Sequence, residues 1–271
     1  MPWTKLKNII LLILVLTNLF LLVLVGGQEI QNRRTREQTR ANAILFLQER
    51  GIQVDETLIP QEVGLVPQVA QRDLEGEAQA AQALLQGTCQ MESRGGEVYR
   101  YFNENGRIQF HNDGTFSAQL EPGAFPAEED RVEQGIALLE RIGFQGTLVQ
   151  EGQDGLIFCQ SWEGVPLFNL QVTLEYQDGE VSALSAGRRL VGQPVEDTTR
   201  QTITVATALI DFLNGVSALG DVCNRIDAIE EGYVGSASLS GPMTLTPVWR
   251  VTTDTGFYQL DMVTGGVSRV S

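Results

Sequence analysis

From Ile9 to Val25 the chain runs apolar for 17 residues, broken only by Thr17 and Asn18. With Asn8, Gly26 and Gly27 at its flanks this stretch approaches the roughly 20 residues needed to cross a bilayer. The pattern predicts a transmembrane anchor over 8–27, preceded by a cytoplasmic tail over 1–7. A cleaved signal peptide ending near Val25-Gly26-Gly27 is the rival reading. Beyond it, "TREQTRANAILFLQERG" places Ala41, Ile44 and Leu45 at helical spacing before Gly51, which predicts a helical stalk over 28–51.

The later pattern alternates between helical and two-residue periods. "IQVDETLIPQEVGLVPQVAQ" reads as a short strand and connector, and "DLEGEAQAAQALLQG" as a helix opened by Asp73 and closed by Gly87. Residues 96–120 give three strands separated by Asn105-Gly106 and Asp113-Gly114, both hairpin-turn pairs. "PAEEDRVEQGIALLERIGF" is the best-marked helix, with Glu128, Glu129 and Asp130 at its positive end and Val132, Ile136, Leu139 and Ile142 inward. Four strands follow, broken at Asp154-Gly155, Glu163-Gly164 and Asp178-Gly179. "TTRQTITVATALIDFLNG" then supplies a helix with Ile203, Ala206, Leu209, Ile210 and Leu213 inward, before a last group of strands.

A helix followed by several antiparallel strands therefore recurs in layout. The expected fold is α+β: the transmembrane helix, then repeated helix-plus-antiparallel-sheet units over 52–125, 126–193 and 194–271.

Charge narrows the function. The net charge is −15, residues 28–271 carry −17, and Lys5 and Lys7 are the only lysines. Such a body is a poor match for nucleic acid. It holds no Schiff-base lysine and no P-loop. The single histidine, His111, and three scattered cysteines, Cys89, Cys159 and Cys223, give no metal-ligand spacing. Neither a metal nor a cofactor is expected, and the pairing of the cysteines stays open.

"DTG" at 254–256 raises an aspartic protease, but no second such triplet exists, and that chemistry needs two aspartates sharing a proton. Asp254 and Gly256 read instead as turn residues, as does Gly265. No enzyme is expected. Asn18 in the apolar run is either a contact to a partner helix or a side chain bonded to its own backbone. Arg33, Arg34 and Arg36 just beyond it are candidates for partner contact or for lipid headgroups. Four arginines follow the run and two lysines precede it. Read literally, that keeps the body cytoplasmic; an exported body is favoured because the charge rule weakens for long domains.

Two stretches carry a resemblance. Trp3, Lys5 and Lys7 before an apolar run ending "TNLFLL", with "LTPVWRVTTDTGFYQLDMVTGGVSRV" at the other end, resemble the YycI-type regulatory proteins of Gram-positive bacteria. Tyr258, Leu260, Asp261, Thr264, Gly265 and Val267 are also similar to the closing motif of PepSY-type modules. The YycI/YycH resemblance implies a single-pass cell-membrane protein with an extracytoplasmic body. Its partners would be a sensor histidine kinase of a cell-wall-linked two-component system and a YycH-type companion. The PepSY likeness implies the alternative, an inhibitor or chaperone of a secreted protease.

Overall fold

The computed structural model describes residues 3–153, 155–237 and 241–270; along the first helix, side chains are described at residues 7, 11, 13–20 and 31, and from 34 onward. Among these residues four α-helices, α1 (Trp3–Glu49), α2 (Leu74–Leu84), α3 (Arg131–Arg141) and α4 (Val205–Ala218), and one 3-10 turn (Glu56–Leu58) are interspersed with fifteen strands. In chain order the strands are β1 (Gln53–Val54), β2 (Gln68–Ala70), β3 (Gln90–Ser93), β4 (Tyr99–Asn103), β5 (Gly106–Phe110), β6 (Thr115–Leu120), β7 (Gly146–Glu151), β8 (Gly155–Trp162), β9 (Val165–Gln177), β10 (Glu180–Arg188), β11 (Pro194–Glu196), β12 (Arg225–Ala237), β13 (Met243–Thr253), β14 (Gly256–Asp261) and β15 (Val267–Val270).

The expected fold class is corrected in two respects. First, among the described residues no helix is long and apolar enough to cross a membrane. The apolar run belongs to α1, one 47-residue helix, and is interrupted midway by exposed Thr17 and Asn18. Much of the expected anchor over 8–27 lies outside the described side chains.

Second, the strands form one large mixed sheet and do not close into repeated independent units. β6 and β10, which would be bare edges of separate sheets, pair antiparallel through Leu184↔Ala118 and Gly187↔Phe116. This yields a continuous antiparallel array in the order β7-β8-β9-β10-β6-β5-β4-β3. β12 joins β9 in parallel at Tyr233↔Leu167. β1 and β2 leave their sequence neighbours and pair with β12 and β13. The physical reason is edge satisfaction: an exposed strand edge presents unpaired backbone groups, and here distant strands take them up.

Helices begin where side chains cap them. Asp73 Oδ1 accepts from Gly76 N at 2.9 Å, and Asp130 Oδ1 accepts from Val132 N and Glu133 N at 2.8 and 3.0 Å. α3 thus starts at Arg131, leaving Glu128 and Glu129 ahead of it. Thr204 caps α4. Val205, Ala208, Leu209, Phe212 and Val216 are buried, whereas Ile210, expected inward, is 41% exposed. Likewise α1 buries Ala43, Ile44 and Leu47 and exposes Leu45.

Two helices, α2 and α3, roof one face of the β3–β10 array over Ile108, Phe158, Leu174 and Leu184. The end of α1 and all of α4 cover Trp249, Tyr258 and Leu260 on the β12–β15 side. Gly114 stitches these regions together: its φ is +82°, and a Cβ there would lie 2.5 Å from Arg189 O and 2.6 Å from Met243 Cε. Gly123 has a similar φ, +81°, with nothing within 4 Å. Gly123→Ala should cost only the left-handed backbone penalty, about 1–2 kcal/mol. Gly114→Ala should cost clearly more, because backbone must also move. Urea unfolding of the two variants checks the difference, and equal midpoints would refute the close approach.

Candidate partner-binding surface

Among the described side chains, those that root α1 lie near its C-terminal end. Among its described side chains Leu11, Ile13, Leu14, Val15, Leu16, Leu19 and Phe20 stand 50–63% exposed. A contiguous apolar surface of this kind marks an interaction site. The polar residues within it are turned onto their own helix: Thr17 Oγ1 donates to Ile13 O at 2.8 Å and Asn18 Nδ2 to Leu14 O at 2.9 Å. Arg34 and Arg36 are exposed, while the side chain of Arg33 lies outside those described.

The sequence reading gave Arg40 no role, yet it locks α1 to the body. Its Nε donates to Pro60 O at 3.1 Å, and its Nη2 donates to Glu56 O and Ile59 O at 2.9 and 2.7 Å. The connector before β2 has carbonyls that no strand partner satisfies, and a guanidinium can take several at once. The only signal in the sequence was that Pro-containing connector, which needs donors from elsewhere.

Clefts open beside these elements and on the sheet. One of about 380 Å³ lies between α1, at Arg36 and Thr39, and the start of α4, with Val63, Ile203 and Ala206 among its lining. A second, about 660 Å³, is lined by Gln48, Ile52–Asp55 and Arg225–Asp227. The third, about 400 Å³, crosses the bare face of the β4–β5–β6–β10 strands and is polar, with Arg100, Arg107, Gln119, Glu175 and Ser185. Arg107 donates to Gln119 and Ser185 to Glu175, so much of that polarity is already matched.

The carboxylate of Asp254 reaches across from the β13–β14 hairpin to the start of β12. Its Oδ1 accepts from Asn224 N and Arg225 N at 3.0 and 3.1 Å, and its Oδ2 accepts from Asn224 Nδ2 at 3.0 Å. Gly256, at φ +152°, pairs with Thr253. In the closing motif Asp261 Oδ1 accepts from Val263 N and Thr264 N at 2.7 and 2.9 Å. Gly265 sits at φ +73°, and a Cβ there would come within 2.3 Å of Asp211 Oδ2 on α4. The Asp-Thr-Gly spacing thus builds a tight turn and lets it lie against the helix.

The remaining chemistry-bearing residues are likewise engaged. His111 Nε2 is 2.8 Å from Gln109 Nε2. All three cysteines are free thiols, and burial, with Asp254 adding to it, pushes Cys223 up to about 11. Among the described residues no cluster of His, Cys, Asp and Glu has the makings of a metal site.

No protein-family model matches the chain, and no curated protein is significantly similar to it. Among solved structures, an uncharacterized protein from Eubacterium rectale ATCC 33656 covers 76% of this chain and 86% of its own at 12% identity, with a TM-score of 0.38. The Bacillus megaterium YpeB C-terminal domain covers 74% of this chain and all of its own at 15% identity, with a TM-score of 0.37. Superpositions this loose bear on no site.

The hydrogen bonds from Asn224, first its side chain and then its backbone, hold the Asp254 carboxyl below the usual range. A depressed folded-state pKa stabilises above the unfolded value, near 3.9, and that contribution vanishes as pH falls through the folded value. Asp254→Asn should therefore lower Tm at about pH 7 and converge with the parent protein at about pH 2. Thermal melts at both pH values check this; a constant offset would show the charge is irrelevant.

Proposed function

We propose that this chain is a non-enzymatic interaction protein that regulates a partner by seating α1 among the partner's apolar helices. The observation that carries the reading is the exposed apolar surface of α1 between Leu11 and Phe20. Fully burying side chains of this size gains about 1.5–3 kcal/mol each, so a partner that encloses several of them binds firmly. The commitments of Asp254 and His111 to neighbouring groups also support a non-catalytic role.

The finer reading, which rests on the YycI-type resemblance, names a sensor histidine kinase with a YycH-type companion as that partner. Control then follows from contacts that differ between two states of the kinase. The second reading, an inhibitor or chaperone of a secreted protease, is favoured by β3. This strand is exposed at all four positions and, among the described residues, ends the array with one edge unpaired, the arrangement that adds a partner's strand.

In-cell crosslinking of tagged full-length protein, followed by mass spectrometry, tests both. A sensor histidine kinase should be recovered, and Leu14→Gln with Leu16→Gln should cut its recovery at least fivefold. Recovery of a secreted protease instead, with stoichiometric inhibition by the purified chain, would replace the first reading with the second. Recovery of lipid adducts alone would overturn both.

A further inference from the structure

We infer that the cleft between α1 and the start of α4 receives one particular element of the partner: a helix with an apolar face flanked by acidic residues, running alongside α1. This deepens the reading of α1 as the docking element and rests on it. The first argument is phase. At 3.6 residues per turn, 18 residues are five full turns, so Arg36 stands on the same face of the rod as Asn18. Leu11, Leu14 and Val15 lie along that stripe toward the other end. A helix laid against it is led directly into the cleft of about 380 Å³ that Arg36 and Thr39 line.

The second argument is the character of the cleft. Val63, Ile203 and Ala206 give it an apolar patch, within a rim that also holds Gln61, Glu62 and Thr202. The hydroxyls of Thr35 and Thr39 are spent on Gln31 O and Thr35 O, at 3.0 and 2.8 Å, so they make no polar demand on an occupant. Arg36 on the α1 wall and Glu62 on the facing wall are both exposed charges, so the acidic flank of the occupant lies on the α1 side.

Charge chooses the occupant. Residues 3–49 carry six basic and three acidic residues, a net +3, while residues 50–271 carry −18. The rod is a basic island on an acidic chain, and electrostatic complementarity favours an acidic flank on whatever lies against it. A second copy aligned in parallel would bring Arg36 against Arg36, and like charges in contact are unfavourable.

A photocrosslinking residue placed in the full-length protein in cells, at position 39 and separately at position 14, tests the inference. Both should capture the same protein, in one helical segment, at points about 25 residues apart, with Asp or Glu beside the position-39 adduct. Arg36→Glu should reduce that adduct at least tenfold, Arg36→Lys should leave it within twofold, and an unchanged urea midpoint should show that the fold is intact. Capture of a protein at position 14, with nothing, lipid, a basic segment or a second copy at position 39, overturns the cleft assignment and leaves the α1 reading standing. Lipid or nothing at both positions overturns both.

Discussion

Thirteen residues of β9, from Val165 to Gln177, must find backbone partners along two edges, and no one strand serves both. β8 accompanies one edge, β10 takes the residues from Thr173 to Gln177 on the other, and β12 meets the strand at Leu167. Buried backbone N–H and C=O groups are costly to leave unpaired, so this one long strand forces the two halves of the molecule into a common sheet. β13 repeats the solution. β12 follows its whole length, while β2 and β14 divide the opposite edge between Met243–Leu245 and Val248–Thr253.

The local elements were largely legible in the sequence because their causes are local. Glu163-Gly164 and Asp178-Gly179 both adopt positive φ at each residue, as two-residue hairpin turns require. Asp73 and Asp130 cap the helices they precede. The assembly was not legible. Pairing of β6 with β10, or of β1 with β12, joins edges far apart in sequence and leaves no period to detect. The repeated layout suggested separate sheets because nothing in the letters says which edge meets which. On α4 the expected inward face holds, with Ala206 and Leu209 buried and Ile203 and Leu213 packed against that core; only Ile210, at the edge of the stripe, turns out to solvent.

The candidate surface was legible residue by residue but not as a surface. Asn18 and Arg36 stood out for polarity and charge, yet their shared face depends on α1 being one unbroken helix. Ala43, Ile44 and Leu47 anchor that helix, a face displaced from the one its hydrophobic spacing suggested. Arg40 itself gave no sign, since its partners are main-chain carbonyls, which every sequence has; only the Pro-containing connector hinted that donors were needed there.

The rooting of α1 has a mechanical consequence. A rod of 47 residues is roughly 70 Å long, and among the described residues it is held near one end by the buried Ala43, Ile44 and Leu47 and by the Arg40 guanidinium. It is therefore a lever with its fulcrum at Arg40–Leu47. A sideways push near Leu11 arrives at the root as torque. β1 follows the helix after three residues and is paired with the first residues of β12, so the load passes into the strand that links the two halves of the sheet. A partner holding the tip of α1 has mechanical purchase on the whole body.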